Sequence, residues 1–122
     1  MPAEHADRDI QAIRDMLSAM HKATMHVIGL SKDTAYAAPH PRDAALYQIL
    51  VVGEAAKRVS EQTQNAHPEV AWSDIVGMRS ILIHGYEKVD WDIVWDAIHV
   101  DFKNLEPILK RILVELEESQ PD

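Results

Sequence analysis

The segment RSILIHGYEKVDW, residues 79–91, places an arginine, a histidine and a tyrosine among apolar residues near a predicted helix end. These residues are Arg79, His84 and Tyr86. A guanidinium can hold a phosphate while charge builds on its oxygens, and an imidazole can move the proton of a ribose 2′-hydroxyl near neutral pH. A phenol nearby can stack on an unpaired base. The three side chains are therefore suited to cleavage of an RNA phosphodiester without a metal ion.

The spacing of these residues limits how they can meet. On an ideal helix Arg79 and Tyr86 share a face, whereas Arg79 and His84 point about 140° apart. Arg79 and His84 can converge if the helix ends at His84, which Gly85 favours as a left-handed cap, or if a symmetry-related copy supplies a second pair. The same residues could instead cap carbonyls and fill a corner of the fold, and spacing alone favours that structural interpretation.

Composition limits the class of protein. The 122 residues, 47% of them hydrophobic and 26% charged, are typical of one globular domain, here residues 1–122. The absence of cysteine excludes disulfides and thiolate metal sites. A formal net charge of −8 argues against a nonspecific nucleic-acid binder. Any RNA site must therefore be a local group of cations, and the acidic surface also suits a basic protein partner.

Several chemical and targeting signals are missing from the sequence. No glycine-rich phosphate loop, HExxH motif or serine elbow occurs, and the seven histidines form no obvious ligand set. We therefore predict neither a metal site nor a cofactor. The polar N-terminus does not resemble a signal peptide, and no apolar run reaches the ~18 residues of a membrane span. A cytoplasmic protein without a membrane segment is expected.

Apolar residues spaced by three and four predict helices in the first half of the chain. The first helix is predicted over residues 4 to about 30, followed by a loop over 31–43 that contains two prolines. Asp43 is expected to cap a second helix from Ala44 to about Asn65. The small residues of this helix, among them Gly53, predict close contact with another helix.

The same periodicity continues in the second half. A third helix is predicted to begin at Trp72 or Ser73 and to end at Gly85. Asp90 is predicted to cap a fourth helix, and Pro107 within its continuation predicts either a kink or a new helix start. Because no strand pattern occurs, the fold class is all-α, an up-and-down bundle of four to five helices.

Other polar residues have two interpretations each. Glu54 could orient Arg79 from the second helix, or it could pair with Lys57 or Arg58 within its own helix. Lys57, Arg58 and Lys88 could line a path for RNA, although solvated surface charge is the favoured interpretation. The tryptophans are predicted to pack in the core or at an interface; they are Trp72, Trp91 and Trp95. A structural role is predicted for His99.

Four stretches of the chain, between about Asp9 and Leu116, resemble the HepT-type toxins of the HEPN superfamily. These toxins are all-helical ribonucleases paired with a minimal nucleotidyltransferase antitoxin. The most specific stretch carries the family's arginine, four residues, histidine, one residue, tyrosine signature as Arg79, His84 and Tyr86. Ser80 departs from the family, in which this polar position is often asparagine. The stretches are VVGEAAKRV (51–59), HPEVAW (67–72), DIVGMRSILIHGYEKVDWDIVW (74–95) and DFKNLEPIL (101–109).

The resemblance implies a role for each matching residue. Arg79 and His84 would form the ribonuclease pair in a cleft at a homodimer interface, acting on RNA without a metal ion. Tyr86 would be the residue that the cognate antitoxin modifies with AMP, which adds bulk and a negative phosphate beside Arg79. Ser80 and Glu54 would have supporting roles.

Two alternatives stay open beside the ribonuclease toxin. The first is a non-catalytic HEPN dimer that serves as a binding module for a nucleotidyltransferase. The second is a subunit of a nucleotidyltransferase complex that acts on another substrate, for which the sequence holds no positive sign. Cleavage of RNA by the pure, unmodified protein separates the toxin from the binding module.

Overall fold

The computed structural model describes residues 3–80 and 89–120, and every regular element within these ranges is helical. The predicted all-α class is therefore confirmed for this part of the chain. None of the helices in these ranges is long and apolar enough to cross a membrane. In chain order the elements are α1 (Ala3–His26), α2 (Lys32–Ala37), α3 (Pro39–Lys57), α4 (Glu61–Ala66), α5 (Trp72–Gly77), α6 (Trp91–Asp96), a π-helical turn (Ala97–Asp101) and α7 (Phe102–Glu118).

The long helices α1, α3 and α7 form the centre of the bundle. Asp9, near the start of α1, contacts Ser60 just past the end of α3, and Asp7 contacts Gln120 just past the end of α7. Both neighbours therefore run antiparallel to α1. The amphipathic stripe predicted for the first helix is confirmed, since it supplies much of the core. The largest fully buried apolar side chains include Ile13 and Met16 of α1, Leu46 and Ile49 of α3, and Leu109 and Ile112 of α7.

The segment predicted as a loop over 31–43 is largely helical instead. The Ser31 hydroxyl accepts a hydrogen bond from the backbone N–H of Thr34 at 3.1 Å, which caps the short helix α2. Helix α3 then begins at Pro39, because a proline in the first turn gives up an N–H that has no helical partner. The prediction that Asp43 caps this helix is wrong, since Asp43 lies inside it and pairs with Arg42.

The predicted second helix is in fact two helices, α3 and α4, separated at Ser60. The Ser60 hydroxyl accepts from the Thr63 N–H and donates to Asp9 Oδ2 at 2.7 Å. Asp9 is only 1% exposed, and its carboxylate also accepts from the Ser60 N–H at 2.7 Å and the Thr63 hydroxyl at 2.5 Å. These bonds satisfy a buried carboxyl group and tie the start of α4 to α1.

The last helical segment, residues 91–118, is regular at both ends and irregular in its middle. Asp90 caps α6 as predicted, and α7 runs through Pro107, so a new helix start there is wrong. The irregularity lies upstream, in the π-helical turn Ala97–Asp101. There the His99 ring donates from Nδ1 to the Trp95 carbonyl at 3.0 Å, an oxygen that a regular α-helix would pair with the His99 backbone N–H.

The aromatic residues have the structural roles that the sequence predicts. Trp72 and Trp91 are buried, and their indole N–H groups donate to the carbonyls of His67 and Lys32. Trp95 is partly buried against the core, and the His99 ring stacks on it with 3.9 Å between centroids. These contacts join the last helical run to the rest of the bundle.

Candidate functional site

Arg79 lies just after α5 and faces α3. Its Nε is 3.2 Å from Glu54 Oε1, and the side chains of Arg79 and Glu54 are 31% and 51% exposed. The contact corresponds to the first of the two interpretations of Glu54, in which it reaches Arg79 from the neighbouring helix. Arg58 instead pairs with Asp15 on α1, at 2.8 Å. The guanidinium of Arg79 is therefore held from one side while part of it faces solvent.

Gly53 makes this contact possible by letting two backbones come close. A Cβ added at Gly53 would lie 2.9 Å from the Arg79 backbone nitrogen and 3.1 Å from the Ile75 carbonyl oxygen. Glycine is the residue that leaves this space empty. The close helix contact predicted from small residues is confirmed, and the segment that it brings against α3 is the one that carries Arg79.

Ser80, the residue that departs from the family pattern, engages the local backbone. Its hydroxyl donates to the Gly77 carbonyl at 2.7 Å, at the end of α5. That bond gives the Gly77 carbonyl a side-chain partner at the end of α5. The supporting role of Ser80 stays a prediction.

The remaining residues of the signature lie outside the described residues. They are His84 and Tyr86, together with the predicted cap Gly85 and the candidate RNA-path residue Lys88. Among the residues that the structure does describe, no three His, Asp or Glu side chains are arranged to hold a metal ion. The roles of His84 and Tyr86, and independence from metal, remain predictions.

A groove of about 520 Å³ lies between the start of α1 and the end of α3, next to the Arg79 contact. We call it the α1–α3 groove. Glu54 belongs to its wall, so the carboxylate that holds Arg79 also faces the groove. Lys57 and Arg58, the described residues predicted as possible RNA-path cations, both line it. The full lining is Arg8, Asp9, Glu54, Lys57, Arg58, Val59 and Ser60.

Arg58 is a groove cation with a counterion on the neighbouring helix α1. Partial burial raises the pKa of the Asp15 carboxyl, but hydrogen bonds from Arg58 and Gln11 outweigh this effect, so its pKa lies below its usual value. Asp15 is therefore ionised at neutral pH and anchors Arg58 to α1.

Arg8 is a groove residue that the sequence analysis did not single out. Only the antiparallel packing of α1 and α3 places Arg8 in the same groove as Lys57.

Comparison with known proteins identifies the family. The family model described as "Ribonuclease HepT-like" matches residues 9–112. The chain is 30% identical over 116 residues to "Putative RNase MJ0125" of Methanocaldococcus jannaschii, which covers 91% of this chain and 97% of that protein. It is 33% identical over 87 residues to "Putative RNase TTE0752" of Caldanaerobacter subterraneus subsp. tengcongensis. That match covers 71% of this chain and 78% of the relative.

A shorter match carries a HepT name directly. The chain is 32% identical over 62 residues to "Probable ribonuclease HepT" of Thermococcus cleftensis, covering 51% of this chain and 56% of that protein. No solved structure matches the chain significantly. The region matched by the family model contains Gly53, Glu54 and the whole signature from Arg79 to Tyr86. The ribonuclease class predicted from the sequence is thereby confirmed, and the chain belongs to the HepT-like ribonuclease family.

Proposed function

We propose that this chain is a metal-independent endoribonuclease toxin that cleaves RNA with Arg79 and His84 in a cleft at a homodimer interface. The observation that carries the proposal is the contact between Arg79 and Glu54 within a chain of the HepT-like family. A guanidinium whose Nε lies beside a carboxylate keeps the donors of both terminal nitrogens for another ligand. Arg79 is thus oriented by the protein and can still grip a phosphate.

The chemistry assigned to the pair needs no other group. His84 takes the proton of a ribose 2′-hydroxyl, and the 2′-oxygen attacks the adjacent phosphorus. The bond from phosphorus to the 5′-oxygen breaks, and the imidazolium returns the proton to that leaving oxygen. Arg79 stabilises the negative charge that builds on the phosphate oxygens during the attack. A cyclic 2′,3′-phosphate and a free 5′-hydroxyl are the products.

Substitution of either residue tests the assignment. We expect Arg79→Ala and His84→Ala each to lower the cleavage rate of a single-stranded RNA by about 100-fold or more, with EDTA present throughout. Cleavage is followed on gels, and thermal unfolding checks that each variant folds. Lys103→Ala, which removes an exposed cation from α7, serves as the control and should cleave like the wild type.

The outcomes separate the candidate functions. Wild-type rates in both Arg79→Ala and His84→Ala, or loss of all cleavage in EDTA, would contradict the proposed mechanism. Absence of cleavage by the pure, unmodified wild type, with tight binding of a nucleotidyltransferase, would favour the non-catalytic dimer instead.

We further propose that the cognate nucleotidyltransferase antitoxin neutralises the toxin at Tyr86. The phenol oxygen attacks the α-phosphorus of ATP, pyrophosphate leaves, and the phenol proton is released. The attached AMP adds bulk and a negative phosphate to the space where Arg79 would bind RNA. Cleavage by the modified protein is therefore expected to be blocked.

Intact mass spectrometry tests this modification. Protein made together with the nucleotidyltransferase should gain the mass of one adenylyl group, and Tyr86→Phe should not gain it. Tyr36→Phe and Tyr47→Phe remove tyrosines that are 52% and 58% exposed, so they are matched controls and should still be modified. An increment that persists in Tyr86→Phe would assign the modification to another residue.

A further inference from the structure

Positive charge is scarce in this chain and is distributed unevenly. Only 12 of the 122 residues are lysine or arginine, against 20 acidic residues. Most of the described cations have a carboxylate within 4.0 Å. Two of the exceptions, Arg8 and Lys57, line the α1–α3 groove together. The cations for which no such carboxylate occurs among the side chains of residues 6–80 and 89–120 are Arg8, Lys22, Lys57 and Lys103.

The carboxylates of the α1–α3 groove are already engaged by protein donors. Asp9 is buried and accepts hydrogen bonds from Ser60 and Thr63. Glu54 contacts Arg79, which brings a further cation to the same wall. The groove lining therefore holds three cations, Arg8, Lys57 and Arg58, against two carboxylates, of which Asp9 is buried and Glu54 lies beside Arg79.

The size and position of the groove favour a polyanion that continues to Arg79. At about 520 Å³ it falls within the range of roughly 300 to 1,000 Å³ that is typical of ligand sites. Proteins that bind single strands without sequence preference track the sugar-phosphate backbone with a positively charged groove. Glu54 lies in the groove wall and contacts Arg79, so the groove and the Arg79 guanidinium meet at this carboxylate.

We propose that the α1–α3 groove binds the backbone of single-stranded RNA through Arg8 and Lys57 and leads the strand to Arg79. This inference rests on the proposed function, since it assigns the substrate path of the same site. Contacts with phosphates away from the cut bond stabilise the bound substrate and the transition state equally. Arg8 and Lys57 therefore set the affinity for RNA and not the rate of the chemical step.

The test measures binding apart from cleavage. In a His84→Ala background, the affinity for a labelled single-stranded RNA oligonucleotide is followed as a function of salt. We expect the double substitution Arg8→Gln and Lys57→Gln to reduce the slope of log affinity against log salt by about 1.4, because each contact with a single-strand phosphate contributes about 0.7. Arg58 is left in place because its pair with Asp15 holds α1 to the end of α3.

Two further double variants are the controls. Lys22→Gln with Lys103→Gln changes the net charge by the same amount at exposed positions outside the groove, and should retain the wild-type slope. Arg8→Lys with Lys57→Arg keeps both charges in the groove and should also retain it. In the active background, loss of the groove cations should raise KM and leave kcat unchanged.

The outcomes distinguish this inference from the proposed function. A wild-type slope in the groove variant, or an equal decrease in the Lys22 and Lys103 control, would overturn the groove as the RNA path. Either result leaves the roles of Arg79 and His84 standing, since these depend on the cleavage rates of their own variants. Conversely, unimpaired cleavage by Arg79→Ala and His84→Ala would overturn the catalytic assignment, while the slope would still report whether the groove binds RNA.

Discussion

Glu54 contacts Arg79 at the surface, and solvent on one side of the pair weakens their attraction. Exposed ion pairs typically contribute only about 0 to 1 kcal/mol to the free energy of unfolding. The effect of Glu54 on stability should therefore be small. Its effect on the direction of the guanidinium should be larger, because a misplaced group loses much of its contribution to a transition state.

Glu54→Gln separates these two effects. We expect kcat for RNA cleavage to fall about 10-fold because Arg79 loses its charged orienting partner. Steady-state kinetics measures kcat, and the free energy of unfolding, measured by urea denaturation, should change little. Asp92→Asn breaks the exposed pair with Lys32, 2.9 Å long, and is the matched control. An unchanged kcat in Glu54→Gln, or the same fall in Asp92→Asn, would assign Glu54 no role in positioning.

The candidate residues could be singled out from the sequence to different extents. Arg79, His84 and Tyr86 stand out because their types and spacing form a motif within one segment. The partner of Glu54 stayed open, since helical periodicity gives the face on which a residue lies but not the helix opposite. Arg8 carries no signal at all in the sequence, because its proximity to Lys57 arises only from tertiary packing.

Gly53 controls how closely the segment after α5 approaches α3. A methyl group there would meet backbone atoms at 2.9 and 3.1 Å, and backbone cannot move aside as a flexible side chain can. We expect Gly53→Ala to lower the free energy of unfolding by about 1 to 3 kcal/mol, the usual cost of an overpacked contact. Because Arg79 must shift away from Glu54, the cleavage rate should fall as well.

Gly77→Ala provides the control for this substitution. A Cβ at Gly77 in α5 would lie more than 4 Å from every atom of the described residues outside its own helical backbone, so alanine fits there without a clash with them. It should leave stability unchanged or raise it by up to about 1 kcal/mol, the difference in helix propensity. Urea denaturation and cleavage assays of both variants check the pair. Equal losses of stability and cleavage rate in Gly53→Ala and Gly77→Ala would contradict the role assigned to the close backbone approach at Gly53.

Local sequence patterns predicted the long helices better than they predicted where the short helices begin and end. The first helix was predicted well because its apolar stripe is long and regular. The short helices α2 and α4 were missed because each depends on one capping serine, Ser31 or Ser60, rather than on periodicity. The break before α4 also depends on Asp9, a buried carboxylate from a distant part of the chain. Such long-range bonds leave no periodic trace in a sequence.

The negative net charge of the whole molecule limits where RNA can bind. With a net charge of −8, a single copy repels RNA at long range, and attraction must come from a few cations close together. A symmetric dimer doubles the number of cations at a shared cleft without adding new ones to the chain. The proposed dimer would therefore gather more cations at one cleft than a single copy of this acidic chain offers.

The proposed shared cleft predicts how mixed dimers behave. If Arg79 of one copy works with His84 of the other, a dimer of an Arg79→Ala chain and a His84→Ala chain keeps one intact site and should cleave RNA at about half the wild-type rate. A dimer of a wild-type chain with a chain carrying both substitutions keeps no intact site and should be inactive. Two different affinity tags allow each mixed dimer to be purified for the assay. The reverse pattern, with only the second dimer active, would place Arg79 and His84 of one chain in the same site, because only that arrangement leaves the wild-type chain self-sufficient.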